Sequence, residues 1–490
     1  MKNDNVMYEM IYSILKYKIE SGLIPDGAQL PSRADLCREI RTSEKSVRRA
    51  VKMLATEGIV KTEKRKRPTV TYDIYRQNKK EIKLQRADAI AAGDILRTGT
   101  LLCYPVIYHG ISLCGKSDWN IPENIIKRMD PGESTAFWRL SNKFWSFFVA
   151  RTGNDLIFRT VVNLGLLELD LLPGTYDLRV RYFTKLKEFL CAARSGGDWE
   201  NFCFEDMSSL YGFYMNTKEF VPTCKAASDS PFRIGTEGIG QQISKAEERY
   251  SRVYMDILGL IMIGRYRPGD RLPSHVKMRQ IYGVSVDTVL KAVQILQKWG
   301  VVTAIRGKGI FVAMDRTEMK KIHIDPELIA CQVRRYLDSL ELLTLTIEGV
   351  AAHSAAIVTL EEAQNLYDKI NKYWNETYLY QLAPILMLEF IVDHIQYGAL
   401  KSVYGIVQKH YHIGRSIPKL VSNRKTQSSC EIFRRCIEAV NALIEGDTAR
   451  FARKSSDMFQ YTRLLIIAEC KRLGYWEAAM QMYDGSIMWK

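Results

Sequence analysis

The sequence predicts a mainly α protein in which one small unit, three helices closed by a two-strand hairpin, is used twice, each copy leading into an all-helical bundle. Three observations carry that prediction. Pro25–Ser32 reads PDGAQLPS and Arg267–Ser274 reads RPGDRLPS, and the pairing holds without a gap at a constant offset of 242 residues, from Tyr8 with Tyr250 to Val70 with Val312. Two copies are too few for a solenoid and mean one domain type used twice. After each copy, apolar residues recur at helical rather than alternating spacing. Finally, a chain of 490 residues that is 47% hydrophobic has material for several separate cores.

In the first copy, Met7, Met10, Ile11, Ile14 and Leu15 share one face of a helix over Val6–Ile19, and Gly22 ends it. Ile24–Leu30, rich in Pro and Gly, is a turn. The Ser32 and Ser43 side chains are expected to cap two further helices, Arg33–Ile40 and one running to Glu57. Val47, Ala50, Val51 and Leu54 form the buried face of the latter. Gly58 stops it, and Ile59–Val60 with Val70–Tyr72 read as short strands around the basic stretch KTEKRKRP. Three helices and a hairpin in this order make a winged helix-turn-helix. We place it at residues 1–75 and again at 247–315.

Residues 76–222 read as a polar, basic connector, Arg76–Arg86, and a helical domain. One helix ends near Arg151, TGND at Thr152–Asp155 turns, and further helices cover Leu156–Leu171 and Tyr176–Ala193. Phe144, Trp145, Phe147 and Phe148 read as core. Residues 223–246 contain the Gly-, Ser-, Thr- and Pro-rich run Cys224–Gly240, an interdomain linker. Residues 316–490 form a second helical domain with helices at Asp325–Ala356, Leu379–Ile395, Lys401–His412, Ile432–Glu445 and Thr448–Leu473. Thr359 and Glu362 have the spacing of a capping box. Strands are expected almost entirely in the two hairpins.

The formal net charge of +15 favours an anionic partner. No uncharged apolar run approaches the roughly 18 residues of a membrane span, so no membrane partner is expected. The start, MKNDNVMYEM, lacks the apolar core of a signal peptide. Ten scattered cysteines without a CxxC pair suggest reduced thiols in a cytoplasm. No GxSxG, Walker loop or HExxH occurs, so neither enzymatic activity nor a cofactor is expected.

Double-stranded DNA is the partner these features suggest. The helix beginning at Ser43 suits the major groove, where N-terminal residues of such a helix meet base edges. Candidate contacts in the first copy are Ser32, Arg33, Ser43, Lys45, Ser46, Arg48, Arg49 and Lys52, with Lys64, Arg65, Lys66 and Arg67 on the hairpin. In the second they are Ser274, His275, Ser285, Asp287, Thr288 and Lys291, with Arg306, Gly307, Lys308 and Gly309.

Both copies resemble the DNA-binding domain of the GntR family of bacterial transcription regulators. The second supplies Pro268, Gly269, Leu272, Pro273 and Ser274, then Gly283, Val284, Ser285, Thr288 and Val289, and the glycine-bearing wing RGKGIFV, Arg306–Val312. At three positions where that family usually carries arginine, the first copy has Ala34, Glu44 and Arg48, and the second has Val276, Val286 and Leu290. The first copy thus keeps basic helix chemistry and the second keeps the wing glycines. The stretch RRYLDSLELLTLTIEGVAAHSAA, and IEAVNALIEGDTARFARKSSDMF with its turn at Gly446–Asp447, resemble the opening and closing of the FCD domain of FadR-like regulators. FWSFFVARTGNDLIF and Gly197–Asp198 resemble it more weakly in the middle bundle. The resemblance implies two fused FadR-like units, a pseudo-dimer in one chain, and leaves open the further association of two chains as a homodimer.

Many FCD domains hold a metal on one Asp and three His, but the aligned positions here are Trp145, Ile391 and residues near Lys187, Cys436 and Met458, so no metal is expected. A carboxylate-like effector is the ligand class considered for the last bundle, with Arg334, Arg335, Tyr404 and His410 as candidate contacts. The rival reading is an interaction or sensor protein whose winged helices no longer bind specific DNA.

Overall fold

The computed structural model describes residues 8, 11–12, 15–16, 18–20, 22–40, 43–64, 66–72, 84–86, 89–164, 169–170, 176–194, 225–227, 249–262, 265–282, 284–314, 326–376, 379–414, 417, 420 and 425–483. Two compact units make up the chain. One comprises 1–246 with 397–403 and 483–490, the other 247–396 with 404–482.

Each unit opens with the repeated domain, and the repeat extends to individual atoms. Buried Ile11, Leu15, Ile19, Leu30, Val47, Ala50, Leu54 and Val70 in the first head correspond, at the 242-residue offset, to buried Val253, Ile257, Ile261, Leu272, Val289, Ala292, Leu296 and Val312 in the second. These positions recur at three- and four-residue steps along each helix, which puts them on one face. The turn before the second helix is pinned to the hairpin the same way in both. Gly27 N donates to Val70 O at 2.9 Å and Leu30 N to Pro68 O at 2.8 Å, while Gly269 N donates to Val312 O and Leu272 N to Ile310 O, both at 2.8 Å. The hairpins share a register, Val60 opposite Val70 and Val302 opposite Val312.

One pair of positions differs in chemistry but not in role. In the first head Tyr12 hydrogen-bonds Glu57, and Lys16 reaches Glu57 at 2.9 Å. In the second, the equivalents Tyr254 and Trp299 make an edge-on aromatic contact at 5.2 Å. Either pairing fastens the first helix to the end of the third.

The helices of the first unit's bundle are Ala89–Ser112, Asn120–Lys127, Ser134–Arg151, Asp155–Leu164 and Tyr176–Arg194. Phe144, Trp145, Phe147 and Phe148 are buried, as the pattern predicts. Trp145 Nε1 donates to Tyr182 Oη at 2.8 Å, and Ser141 Oγ lies 2.6 Å from the same oxygen, so the indole is satisfied inside the core. Two expectations need correction here. The helix expected to continue to Leu171 ends at Leu164, and Leu169 and Asp170 instead pair with Ala226 and Lys225. Leu84–Arg86 pairs with Lys225–Ala227 from the other side, giving a three-stranded sheet of two- and three-residue strands. Strands are therefore not limited to the hairpins. Runs this short carry no detectable alternation, and their pairing is decided by chain segments far away in sequence. The rest of the connector and of the expected linker lies outside the described residues.

The second unit's bundle begins with Pro326–Ala355, thirty residues long, followed by Leu360–Asn375, Ala383–Asp393, Gln427–Ile444, Thr448–Arg472 and Tyr475–Tyr483 up to residue 482; of the helix Gly398–Ile413, residues 404–413 belong to this unit. The capping box is present: Thr359 Oγ1 accepts from Glu362 N, and the Glu362 carboxylate accepts from Thr359 N at 2.9 Å. The helix expected from Leu379 starts at Ala383, after a 3₁₀ turn at Tyr380–Leu382. Pro384 explains the start, because proline is tolerated in a helix's first turn, where its missing N–H is no loss. Trp374 stacks on Phe433 at 4.3 Å, and Tyr411 meets Tyr336 at 5.8 Å and Phe459 at 6.0 Å, tying helices through aromatic faces. Among the described residues, no helix is long and apolar enough to cross a membrane.

Candidate nucleic-acid interface

Each head's third helix, Glu44–Thr56 in the first and Val286–Lys298 in the second, starts from a serine cap of matching geometry. Ser43 and Ser285 both have φ −71°, and each side-chain oxygen accepts from the backbone three residues on, Ser46 N and Thr288 N, at 3.2 Å. The cap satisfies one of the N–H groups that a helix start leaves without partners. It also fixes which residues stand at the outer end. Ser32 and Ser274 cap the second helices similarly, accepting from Asp35 N at 3.1 Å and Lys277 N at 3.3 Å. Ser46 is buried beneath its cap, its hydroxyl 3.0 Å from Ser43 Oγ, and Thr288 Oγ1 lies 2.7 Å from Ser285 Oγ.

On the first head, Lys45, Arg48, Arg49 and Lys52 are all exposed. Arg49 nevertheless turns back: its guanidinium lies 3.7 Å from the centroid of the Tyr8 ring on the first helix. That leaves Arg48, one helical turn beyond the cap-adjacent Glu44, in the outward position. Arg33 is exposed at the start of the second helix.

The first wing has short strands, Val60–Lys61 and Thr69–Val70, around a charged tip. Lys61, Lys64, Lys66 and Arg67 are exposed; Arg65 lies outside the described residues. Glu63, a residue the sequence reading passed over, sits among them. It pairs with Lys61 at 3.0 Å and Lys66 at 2.8 Å. Hydrogen bonds from Lys66 and then Lys61, with their charge, hold its carboxyl down at about 2. Part of the tip's positive charge is therefore answered within the wing. An acid at a three-residue spacing from a lysine was the signal available in the sequence.

The second wing is longer, Val302–Ile305 against Gly309–Val312. Its tip is a tight turn in which Lys308 N donates to Ile305 O at 3.0 Å. Gly307 and Gly309 have φ of 75° and 122°, values that side chains resist. At Gly309 a Cβ would also approach Arg271 Nε to 2.8 Å. The equivalent positions in the first head hold Arg65 and Arg67, and there the hairpin ladder is half as long. Arg306 and Lys308 are exposed on the tip, as are Asp287 and Lys291 on the helix. His275 is half-buried at the start of the second helix.

The model of the bacterial regulatory proteins of the gntR family matches residues 7–70 and 249–312. The chain carries two gntR-family helix-turn-helix domains. The chain is also similar to the HTH-type transcriptional regulator TreR of Bacillus subtilis, 36% identical over 72 residues, which is 15% of this chain and 30% of that protein. The HTH-type transcriptional repressor YtrA of the same organism is 21% identical over 113 residues, 20% of this chain and 87% of that one. The chain thus spans less than a third of the length of TreR. Among solved structures, Streptococcus agalactiae GntR matches 44% of this chain and 99% of its own at 16% identity and a TM-score of 0.21.

In the last bundle, Arg334 is buried, its Nε 2.8 Å from Asp338 and its Nη1 3.7 Å from Met480 Sδ. Tyr404 is fully buried with its hydroxyl 2.7 Å from Thr346 Oγ1, and burial raises its pKa. His410 is buried and Arg335 half-buried. Gln332 and Ser455, which sequence reasoning missed, are wholly buried, and their side-chain polar atoms have no hydrogen-bond partner among the described residues. Among the described residues, no group of three His, Cys, Asp or Glu side chains is placed to hold a metal.

Proposed function

We propose that this chain is a cytoplasmic DNA-binding transcription regulator that uses its two gntR-type heads on one operator. The observation that carries the reading is the serine-capped third helix, present in both heads with the same geometry and flanked by an exposed basic wing. A helix start offers unpaired N–H groups and a positive dipole end to the DNA, and the wing lysines and arginines neutralise phosphates. Titrating random-sequence duplex DNA at rising salt tests it. Affinity should fall linearly on a logarithmic salt scale. A flat profile, or no binding at low salt, would leave the heads as interaction modules.

The last bundle is read as a domain of the FCD type that senses a small effector and mediates association. Its support is the resemblance of its opening and closing segments, together with the polar atoms of Gln332 and Ser455, buried without a hydrogen-bond partner among the described residues. Buried groups of this kind are costly unless something polar meets them. Because Asp338 already answers Arg334, the ligand contacts favoured within this bundle are uncharged donors and acceptors rather than a carboxylate clasp. Isothermal titration with small polar metabolites, repeated on Gln332→Leu, checks this reading.

A further inference from the structure

We propose that the second head reads thymine. Val286 and Leu290 make apolar contact with the 5-methyl groups of A·T pairs in the major groove, at the two positions where the first head presents Glu44 and Arg48. This rests on the proposed function and names the bases that one head selects.

Ten large hydrophobic side chains are exposed among the described residues, and five of them, Val276, Ile281, Val286, Leu290 and Ile305, lie in the second head, none in the first. Val286 and Leu290, 36% and 38% exposed, stand one turn apart on the same face of the third helix, immediately after the Ser285 cap. Val276, 60% exposed, is the second residue of the second helix. None of these side chains can donate or accept a hydrogen bond, so none can pair with guanine or adenine edges. The one base feature in the major groove that rewards an apolar side chain is the thymine methyl.

Charge selects the occupant. Residues 249–312 carry eleven Lys and Arg against three Asp. Exposed Lys277, Arg279, Arg306 and Lys308 come from the same helices and wing as the apolar residues. A polyanion that also offers methyl groups fits this combination, whereas an apolar protein partner would meet an uncompensated cationic frame. Asp287, next to Val286, only accepts hydrogen bonds; it suits the amino group of cytosine and repels phosphate, so it points the helix end towards base edges.

The test begins with the duplex that the full chain selects from a random-sequence pool. That duplex is resynthesised with deoxyuridine replacing thymidine, one half-site at a time, which removes methyl groups without touching the protein. In the half protected by the second head, each contacted methyl lost should weaken binding roughly fourfold, the ratio for burying one methyl-sized group. The other half should be indifferent. Val286→Ala with Leu290→Ala should abolish the difference between thymidine and deoxyuridine duplexes while leaving the salt slope unchanged. Equal affinity for both duplexes at every position would overturn the inference and leave DNA binding standing. Absence of duplex binding at any salt would overturn both. If the paired variant keeps the thymidine preference but sediments as a smaller species than the parent, the apolar face joins protein chains and the inference fails.

Discussion

At the scale of single residues, the informative positions are those where the two heads diverge on a shared backbone. Arg48 projects outward, whereas its neighbour Arg49 is held on Tyr8. Replacing Arg48 with Ala should change sequence preference, costing about 1–3 kcal/mol on a preferred site if it pairs with guanine. Binding selection on random duplexes with both proteins checks this. In the first wing, Lys66 and Lys61 share Glu63, while Lys64 is exposed beside them. Lys64→Ala should flatten the salt slope by about one, and Lys66→Ala by less. Glu63→Gln should steepen it, by up to about two as both lysines become available to phosphate. The sign with pH follows from the depressed carboxyl. Glu63 keeps its charge, and its ion pairs, until pH falls to about 2. The effect of Glu63→Gln should therefore be the same at pH 6 and pH 8, measured as salt slopes at each.

At the scale of elements, caps and close approaches decide where helices run. Gly110 in the helix Ala89–Ser112 is a contact point: a Cβ there would stand 1.9 Å from the backbone oxygen of Phe148 on the helix Ser134–Arg151. Backbone cannot rotate out of the way as a side chain can. Gly110→Ala should destabilise the first bundle by about 1–3 kcal/mol, the cost of overpacking a filled core, even though alanine is the better helix former. Urea unfolding followed by tryptophan fluorescence, to which the buried Trp145 of this bundle contributes, measures it; unchanged stability would show that the two helices part to admit a methyl group. The heads show the converse, since a Tyr–Glu–Lys cluster and a Tyr–Trp pair fasten the same two helices. Geometry is retained where the chemistry of the fastener is not.

At the scale of the whole molecule, two unlike heads lie in one polypeptide. Operator symmetry follows the symmetry of its reader, so a chain presenting Glu44 and Arg48 on one head and Val286 and Leu290 on the other should favour two unlike half-sites. Hydroxyl-radical footprinting on a selected duplex is expected to show unequal protection of its halves. A perfect palindrome, equally protected, would mean instead that two chains each present the same head.

Much of this was legible in the sequence by itself. The constant 242-residue offset identified both heads, because a duplicated core needs apolar residues at the same spacing and turns at the same places. Serine caps, the Thr359–Glu362 box and most helices of both bundles were readable because their signals are local, contained within one or two turns. Tertiary structure alone decided the rest. The pairing of Leu84–Arg86 and Leu169–Asp170 with Lys225–Ala227 joins segments far apart in sequence and too short to show a period. The turn of Arg49 onto Tyr8 and the sharing of Glu63 between two lysines depend on where side chains meet after the backbone has closed. So does the exposure of Val276, Val286 and Leu290. Apolar residues on an amphipathic helix belong by default to its buried face, and only the packing of the second head's core around Val289, Ala292, Val293 and Leu296 leaves these three outside.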